Sequence, residues 1–211
     1  MSAYTEQEEL EKFKAWWKEY GTSIVVGVAL GVIMLAGYRY WVQHQETQRE
    51  AASTMYEQLI ADLRTNRTQS ARDVGAKLVG EYSSTPYAGM AALLLARQAY
   101  DAGDLPAARQ HLEWAVTNAK GDATRHAARL RLARMLLAAN DSKAAAAVVD
   151  VKDIAGFEAE YHELKGDVAL AQGDKETARK AYQEASKALP PNSPYRSALS
   201  MKLDDVGSEK P

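Results

Sequence analysis

The sequence predicts an all-α protein in which an N-terminal transmembrane helix precedes a superhelix of helical-hairpin repeats that ends in a C-terminal capping helix. Three observations support this fold class. Alanine, the strongest helix former, occurs 38 times, whereas phenylalanine occurs only twice. A charge-free run of 18 residues lies near the N-terminus. The rest of the chain divides into helix-sized segments separated by Gly, Asn, Asp and Pro.

The composition also excludes several classes of protein. The chain has 26 Lys and Arg against 28 Asp and Glu, a formal net charge of −2. Such a balance gives no general field that attracts phosphate backbones, so we expect no nucleic-acid partner. The sequence contains no cysteine. This excludes disulfides, thiolate nucleophiles, zinc–thiolate sites and a cysteine-linked lipid anchor.

Residues 1–20 are predicted to form a cytoplasmic N-terminal tail. Lys12, Lys14 and Lys18 lie close to the apolar run, and this small basic excess favours a cytoplasmic N-terminus with the bulk of the chain translocated. Within the tail, Thr5 and Glu8 have the spacing of a capping box, which predicts a short amphipathic helix.

Residues 21–42 are predicted to be the transmembrane helix. These 22 residues span about 33 Å as a helix, enough for a hydrocarbon core of about 30 Å. Aromatic residues flank the run on both sides, as in interfacial belts, and an arginine side chain at the edge can reach the headgroups. The predicted interface residues are Trp16, Trp17, Tyr20, Tyr38, Arg39, Tyr40 and Trp41. A buried core helix is the alternative.

Two glycines in this span have the spacing of a helix-packing motif. Gly27 and Gly31 are four residues apart, and small residues at this spacing let two membrane helices approach closely. Glycine is common in membrane helices in general, so background composition is the alternative.

Residues 43–206 are predicted to form a repeat domain. Turn signals recur at Gly103-Asp104, Asn140-Asp141 and Gly173-Asp174, spaced 37 and then 33 residues apart. A small residue lies seven positions before each turn and another lies five positions after it. These predicted helix crossings are Ala96, Ala108, Ala133, Ala145, Gly166 and Ala178. The pattern resembles the tetratricopeptide repeat (TPR), whose period is about 34 residues.

The copies differ in how well they keep the pattern. The third is the most complete, whereas the second is degraded after Val149, with Lys152 where a small residue belongs. An earlier copy is indicated by Asn66 and Ala71.

The end of the chain predicts a capping helix, which terminal repeats need. It extends to residue 206, with Ser193 as the N-cap, Pro194 in the first turn, and Leu199 and Leu203 facing inward. Residues 207–211 are predicted to be a disordered tail.

Motifs for catalysis and metal binding are incomplete. Gly75 and Gly80 have the spacing of a phosphate loop, but Glu81 and Tyr82 follow where Lys and Ser or Thr are required. The four histidines show no pairing at four-residue spacing. We therefore predict a protein that is not an enzyme and has no cofactor, metal or small-molecule substrate. An enzyme with an active site assembled from scattered residues is the alternative.

The repeat geometry predicts a partner groove, because the first helix of each TPR hairpin lines the concave face. The candidate residues are Met90, Arg97, Tyr100, Arg134, Glu163 and Asp167. Basic residues at one end and acidic residues at the other suit an amphipathic or mixed-charge segment of a partner. The alternative is that the two arginines pair with the two carboxylates inside the superhelix.

A local basic cluster overlaps this groove. It comprises Arg125, Arg129, Arg131 and Arg134. The cluster is either a solvated helix face with acidic partners elsewhere or a contact surface for a partner.

The residues at the exit from the span are distinctive. They read Gly37-Tyr38-Arg39-Tyr40-Trp41, followed by His44-Gln45. Together with the segment Leu130-Arg131-Leu132-Ala133-Arg134 and the turn Gly173-Asp174, they resemble the YfgM family of Gram-negative bacteria. The resemblance implies an ancillary subunit of the SecYEG translocon, anchored in the inner-membrane bilayer by one span, with a periplasmic repeat domain.

The same resemblance implies a second partner, a membrane-anchored periplasmic chaperone of the prolyl-isomerase type. The implied function is to help pass emerging secretory chains from the translocon to periplasmic chaperones. A membrane-anchored TPR scaffold for another envelope-assembly complex is the alternative.

Overall fold

The computed structural model describes residues 2–154 and 156–207, with side chains from residue 8 onward. These described residues form nine helices and no strand, so the predicted all-α class is confirmed. The helices are α1 (Ser2–Arg64), α2 (Thr68–Glu81), α3 (Pro86–Asp101), α4 (Leu105–Asn118), α5 (Asp122–Ala138), α6 (Ser142–Val149), α7 (Glu158–Ala171), α8 (Lys175–Ala188) and α9 (Tyr195–Asp205).

The chain divides into two compact units, Met1–Glu50 and Ala51–Pro211. In the first unit the apolar side chains of α1 are exposed; Val32, Ile33 and Met34 have exposed fractions of 61%, 67% and 74%. By length and composition, α1 is the one helix among the described residues that could cross a membrane. A row of exposed apolar side chains of this kind fits a membrane anchor.

The predicted boundaries within this unit are not marked by helix ends. α1 continues through residues 20 and 42 without a break, so the limits of the tail and the span remain predictions. Thr5 lies inside α1, and its side chain lies outside the described residues. The capping box with Glu8 therefore also remains a prediction.

The second unit consists of consecutive helical hairpins followed by α9. In the first hairpin, Ala52 and Leu59 from the end of α1 pack with Ala71 and Leu78 of α2. The following hairpins are α3 with α4, α5 with α6, and α7 with α8. Apolar side chains from neighbouring hairpins share core clusters. Stacking therefore buries faces that one hairpin alone would leave in water, as repeat proteins require.

The three predicted turns are built alike. Gly103, Asn140 and Gly173 have φ angles of 78°, 60° and 84°, in the left-handed region that Gly and Asn enter most easily. The aspartate after each turn caps the next helix by accepting a backbone N–H, a contribution of about 1 kcal/mol. Asp104 accepts from the N–H of Ala107 at 3.1 Å, Asp141 from that of Ala144 at 3.0 Å, and Asp174 from that of Thr177 at 2.9 Å. Asn66, at φ 55°, makes a similar turn after α1.

The residues at the predicted helix crossings are buried in the second unit. They are Ala96, Ala108, Ala133, Ala145, Gly166 and Ala178. At Gly166 the reason for a small residue is direct, because an added Cβ would lie 2.3 Å from Cε1 of Tyr182. The aromatic ring of α8 therefore packs on the backbone of α7, and no larger side chain fits without displacing it.

The second clear repeat is shortened, in agreement with its degraded sequence. α6 has 8 residues and ends at Val149. The described residues between α6 and α7 are not helical, but Val151, Ile154 and Phe157 pack against the core cluster of α3–α7. These side chains replace the apolar surface that a longer second helix would supply.

The capping helix begins slightly later than predicted. α9 is assigned from Tyr195, with Pro194 at the N-cap position, although Pro194 already has helical dihedral angles (φ −62°, ψ −21°). Ser193 still caps locally, because its Oγ accepts a hydrogen bond from the backbone N–H of Tyr195 at 3.3 Å. Leu199 is buried and Leu203 packs beside it against α8, as predicted. Residues 208–211 of the predicted tail lie outside the described residues.

Candidate partner-binding groove

The predicted interface residues of the first unit are exposed. Their rings form local clusters along α1: the centroids of Trp16 and Tyr20 lie 6.1 Å apart, and those of Tyr38 and Trp41 lie 6.3 Å apart. The predicted belt residues therefore form two separate groups of neighbouring aromatic rings.

The predicted packing glycines are open on their outer side. A Cβ added at Gly27 or Gly31 would meet nothing within 4 Å, and the same holds for Gly37. The described part of the chain therefore leaves this stretch of α1 accessible to another helix.

In the second unit, a cavity of about 460 Å³ lies between α3, α4 and α5. We call it the basic cavity. Its base is apolar and its rim carries three arginines and a tyrosine. Its lining consists of Leu93, Leu94, Ala96, Arg97, Tyr100, Ala108, Leu112, Arg131, Arg134, Met135 and Ala138.

The basic cavity contains three of the six predicted groove residues. Arg97, Tyr100 and Arg134 line it, whereas half-buried Met90 is not part of the lining. Tyr100 has an exposed fraction of 49%, so its ring is available to a partner. Arg97 is neutralised by Asp101 on the same helix, with 2.7 Å between its Nε and a carboxylate oxygen.

Arg131 also belongs to this site, although the predicted groove omitted it. It lies three residues before Arg134, and residues at this spacing are neighbours on a helix face. Both side chains are exposed, and neither has a hydrogen-bond or ion-pair partner among the described residues. Of the wider basic cluster, Arg125 instead pairs with Asp122. The three-residue spacing was the available sequence signal for Arg131.

A second cavity of about 330 Å³ adjoins the first. The two share Leu94 and Arg97 in their linings. The second is more polar and reaches Asp62 at the end of α1, which is buried. Asp62 is fully engaged: it accepts a hydrogen bond from Ser70 Oγ at 2.6 Å and pairs with Arg67 at 2.8 Å.

The two acidic residues of the predicted groove lie elsewhere, in contact with α9. Lys202 Nζ lies 2.7 Å from Glu163 Oε1 and 2.7 Å from Asp167 Oδ1. Tyr182 Oη donates a hydrogen bond to Asp167 at 2.8 Å, and Lys202 Nζ lies 5.7 Å from the centre of the Tyr182 ring. We call these four residues the Lys202 cluster.

The alternative in which Arg97 and Arg134 pair with Glu163 and Asp167 inside the superhelix is wrong. The carboxylates of α7 pair with Lys202 of the capping helix. Arg97 pairs within its own helix, and Arg134 has no ion-pair partner among the described residues. The structure therefore separates the predicted charged surface into an occupied acidic end and an available basic end.

Protonation equilibria reflect the coupling in the Lys202 cluster. Burial, followed by the hydrogen bond to Asp167, raises the pKa of Tyr182 well above its ordinary value. Burial alone would lower the pKa of Lys202, but its hydrogen bonds to Asp167 and Glu163 outweigh burial and the net shift is upward. Both shifts favour the proton-bearing forms, so at neutral pH Lys202 is an ammonium and Tyr182 keeps its hydroxyl proton.

The chemistry of the basic cavity is that of a binding surface. Among the described residues that line it there is no carboxylate, histidine or hydroxyl other than Tyr100. Arginine and tyrosine ordinarily keep their protons at neutral pH, so the lining offers donors, positive charge and apolar area. Such a surface can hold an acidic, partly apolar ligand in place.

Comparison with known proteins gives one consistent result. Residues 14–208 match the family model described as a tetratricopeptide repeat-like domain. Proteins from Haemophilus influenzae and Escherichia coli are each 30% identical over 87% of the chain and over 89% and 88% of their own lengths. A protein from Neisseria gonorrhoeae is 30% identical over 95% of the chain and 97% of its length. All three are named ancillary SecYEG translocon subunit.

Proposed function

We propose, from the premise that the chain belongs to the family of TPR-like ancillary SecYEG translocon subunits, that it associates with SecYEG and acts by binding. α1 anchors it in the bilayer, and the repeat domain presents a surface to other proteins. The name shared by the relatives supports the association with SecYEG. The observation that carries the binding role of the repeat domain is the basic cavity, whose lining supplies charge and apolar area.

The proposed topology has a cytoplasmic N-terminus and a periplasmic repeat domain. It is supported by Lys12, Lys14 and Lys18 before the span. In this topology the basic cavity faces the compartment in which translocated chains emerge.

The proposed role is to link translocation to periplasmic chaperones. Its support is the family resemblance, which implies a membrane-anchored chaperone of the prolyl-isomerase type as a second partner. In this proposal α1 contacts the translocon and the repeat domain contacts the chaperone. The open faces at Gly27 and Gly31 are the proposed packing site in the membrane.

Extraction of the tagged full-length chain in a mild detergent tests the association with SecYEG. We expect SecY to co-purify, and we expect Gly27→Leu with Gly31→Leu to reduce its recovery. Gly37→Leu is the matched control, because its Cβ would also meet nothing within 4 Å of the described chain. Recovery of a different envelope complex without SecY would instead favour the alternative of another assembly scaffold.

Protease added to spheroplasts tests the topology. The part of the chain after residue 42 should be digested while the N-terminal tail stays protected. Protection of the repeat domain would reverse the orientation and exclude a periplasmic role.

A further inference from the structure

We infer that the basic cavity binds a segment of a partner protein in which an acidic side chain lies beside bulky apolar side chains. This inference rests on the proposed function and specifies the chemistry of the partner. The inferred partner differs from the mixed-charge partner expected from the sequence, because Lys202 already pairs with the acidic residues of that surface.

The charges of the cavity favour an acidic side chain. Asp101 neutralises Arg97, which leaves Arg131 and Arg134 as like charges on one helix face. Like charges at this spacing repel each other, and neither arginine has an ion-pair partner among the described residues. A carboxylate between them would relieve the repulsion, and the guanidinium group can bind it through two parallel hydrogen bonds.

The base of the cavity favours an apolar side chain next to that carboxylate. Leu93, Leu112 and Met135 form part of its floor, and Tyr100 stands half exposed at its edge. The volume of about 460 Å³ falls within the range of about 300–1,000 Å³ typical of ligand pockets. Tyrosine and arginine around an apolar depression are also the residues that most often dominate protein–protein binding energy.

The length of the surface favours a polypeptide segment over a small molecule. The second cavity shares Leu94 and Arg97 with the first, so the depression extends from α5 toward the end of α1. Its lining becomes more polar in that direction. A segment bound along it would place its acidic and apolar side chains at the α5 end and its polar part near Gln98 and Asp101.

A peptide-binding measurement on the full-length chain in nanodiscs of zwitterionic lipid tests this inference. The probe is a fluorescent amphipathic peptide with leucines and glutamates on one face, and the comparison peptide has lysine in place of each glutamate. The test variant is Arg131→Glu with Arg134→Glu. The control is Lys143→Glu with Lys175→Glu, which changes the net charge equally at exposed positions outside the lining.

We expect the wild-type chain and the control to prefer the glutamate peptide. The test variant should bind that peptide at least about tenfold more weakly and should gain affinity for the lysine peptide. Equal binding of both peptides by the wild-type chain, or an unchanged preference in the test variant, would overturn the inference. Binding to vesicles of anionic lipid that depends on the same arginines, without peptide binding, would also overturn it. Co-purification of SecY is measured separately, so failure of this inference alone leaves the proposed association with SecYEG standing.

Discussion

The basic cavity and the Lys202 cluster both carry charged side chains on the first helices of their hairpins, but these charges have different surroundings. In the Lys202 cluster, one ammonium lies 2.7 Å from each of two carboxylates, and a tyrosine hydroxyl donates to one of them at 2.8 Å. In the basic cavity, Arg131 and Arg134 have no ion-pair partner among the described residues and stand beside an apolar depression.

This difference separates charges used for folding from charges available for binding. Breaking the half-buried ion network that joins α7, α8 and α9 should destabilise the repeat domain, since removing one member leaves the others poorly solvated. Exposed arginines without partners contribute little to stability and lose little when they are changed. Mutation of the Lys202 cluster should therefore lower the stability of the repeat domain, whereas mutation of Arg131 and Arg134 should leave it nearly unchanged.

The largest loss of stability should follow from Gly166→Ala, which disrupts the packing of the Tyr182 ring, a member of the Lys202 cluster, on α7. The new Cβ would lie 2.3 Å from the Tyr182 ring and would displace the hydroxyl from Asp167. We expect a loss of about 3 kcal/mol, or about 6–12 °C in Tm, measured by circular dichroism of the full chain in detergent.

Gly80→Ala is the matched control for this prediction. It is also a helical glycine, but an added Cβ meets nothing within 4 Å. Because alanine has a higher helix propensity than glycine, this substitution should leave the free energy of unfolding unchanged or raise it by up to about 1 kcal/mol. Equal melting temperatures for the two variants would show that Tyr182 does not pack on α7 in this way.

A smaller loss should follow from Lys202→Met, which keeps an unbranched apolar side chain as far as Cε but removes the ammonium group. Glu163 and Asp167 then repel each other without a counter-ion. Because the lysine side chain is about one third exposed at 33%, solvent screens part of the effect. We expect a loss of about 1–2 kcal/mol in the free energy of urea-induced unfolding.

Two further substitutions distinguish the effect of charge from that of packing in this variant. Adding Glu163→Gln and Asp167→Asn to Lys202→Met should recover part of the lost stability. No recovery would mean that the aliphatic part of Lys202, and not its charge, holds α9 in place.

A still smaller effect should appear at alkaline pH. The pKa values of Tyr182 and Lys202 are raised in the folded state, so folding favours their protonated forms. Their contribution is fully present below the unfolded pKa values of about 10 and 10.4 and is lost as pH rises through the folded values. The urea midpoint should therefore fall above about pH 10 in the wild type, and less steeply in a Tyr182→Phe, Lys202→Met variant. Equal slopes would contradict the assigned coupling.

Most of the fold could be predicted from the sequence because its signals are local. The turns at Gly103, Asn140 and Gly173 each require a left-handed residue followed by a capping aspartate, and both are visible as a dipeptide. That the second repeat departs from the pattern after Val149 could also be predicted, since Lys152 stands where a small residue belongs; that its second helix has only 8 residues is seen in the structure.

The Lys202 cluster could not be predicted because it joins distant residues outside the repeat pattern. Lys202 contacts residues that lie 39 and 35 positions earlier in the chain. Its helix is a terminal cap, which has no equivalent in the preceding hairpins. Periodicity therefore predicts which residues lie on the first helix of each hairpin but not which of their charges the cap neutralises.

We propose that the arginines of the basic cavity serve binding, whereas the Lys202 cluster serves folding. Arg131→Glu combined with Arg134→Glu tests this most sharply when two quantities are measured on one preparation: the Tm and the recovery of the periplasmic chaperone proposed as the second partner. We predict a Tm within about 2 °C of wild type and a loss of most of the chaperone. A Tm lowered as far as in Lys202→Met, with chaperone recovery unchanged, would show that these arginines stabilise the fold and do not hold the chaperone.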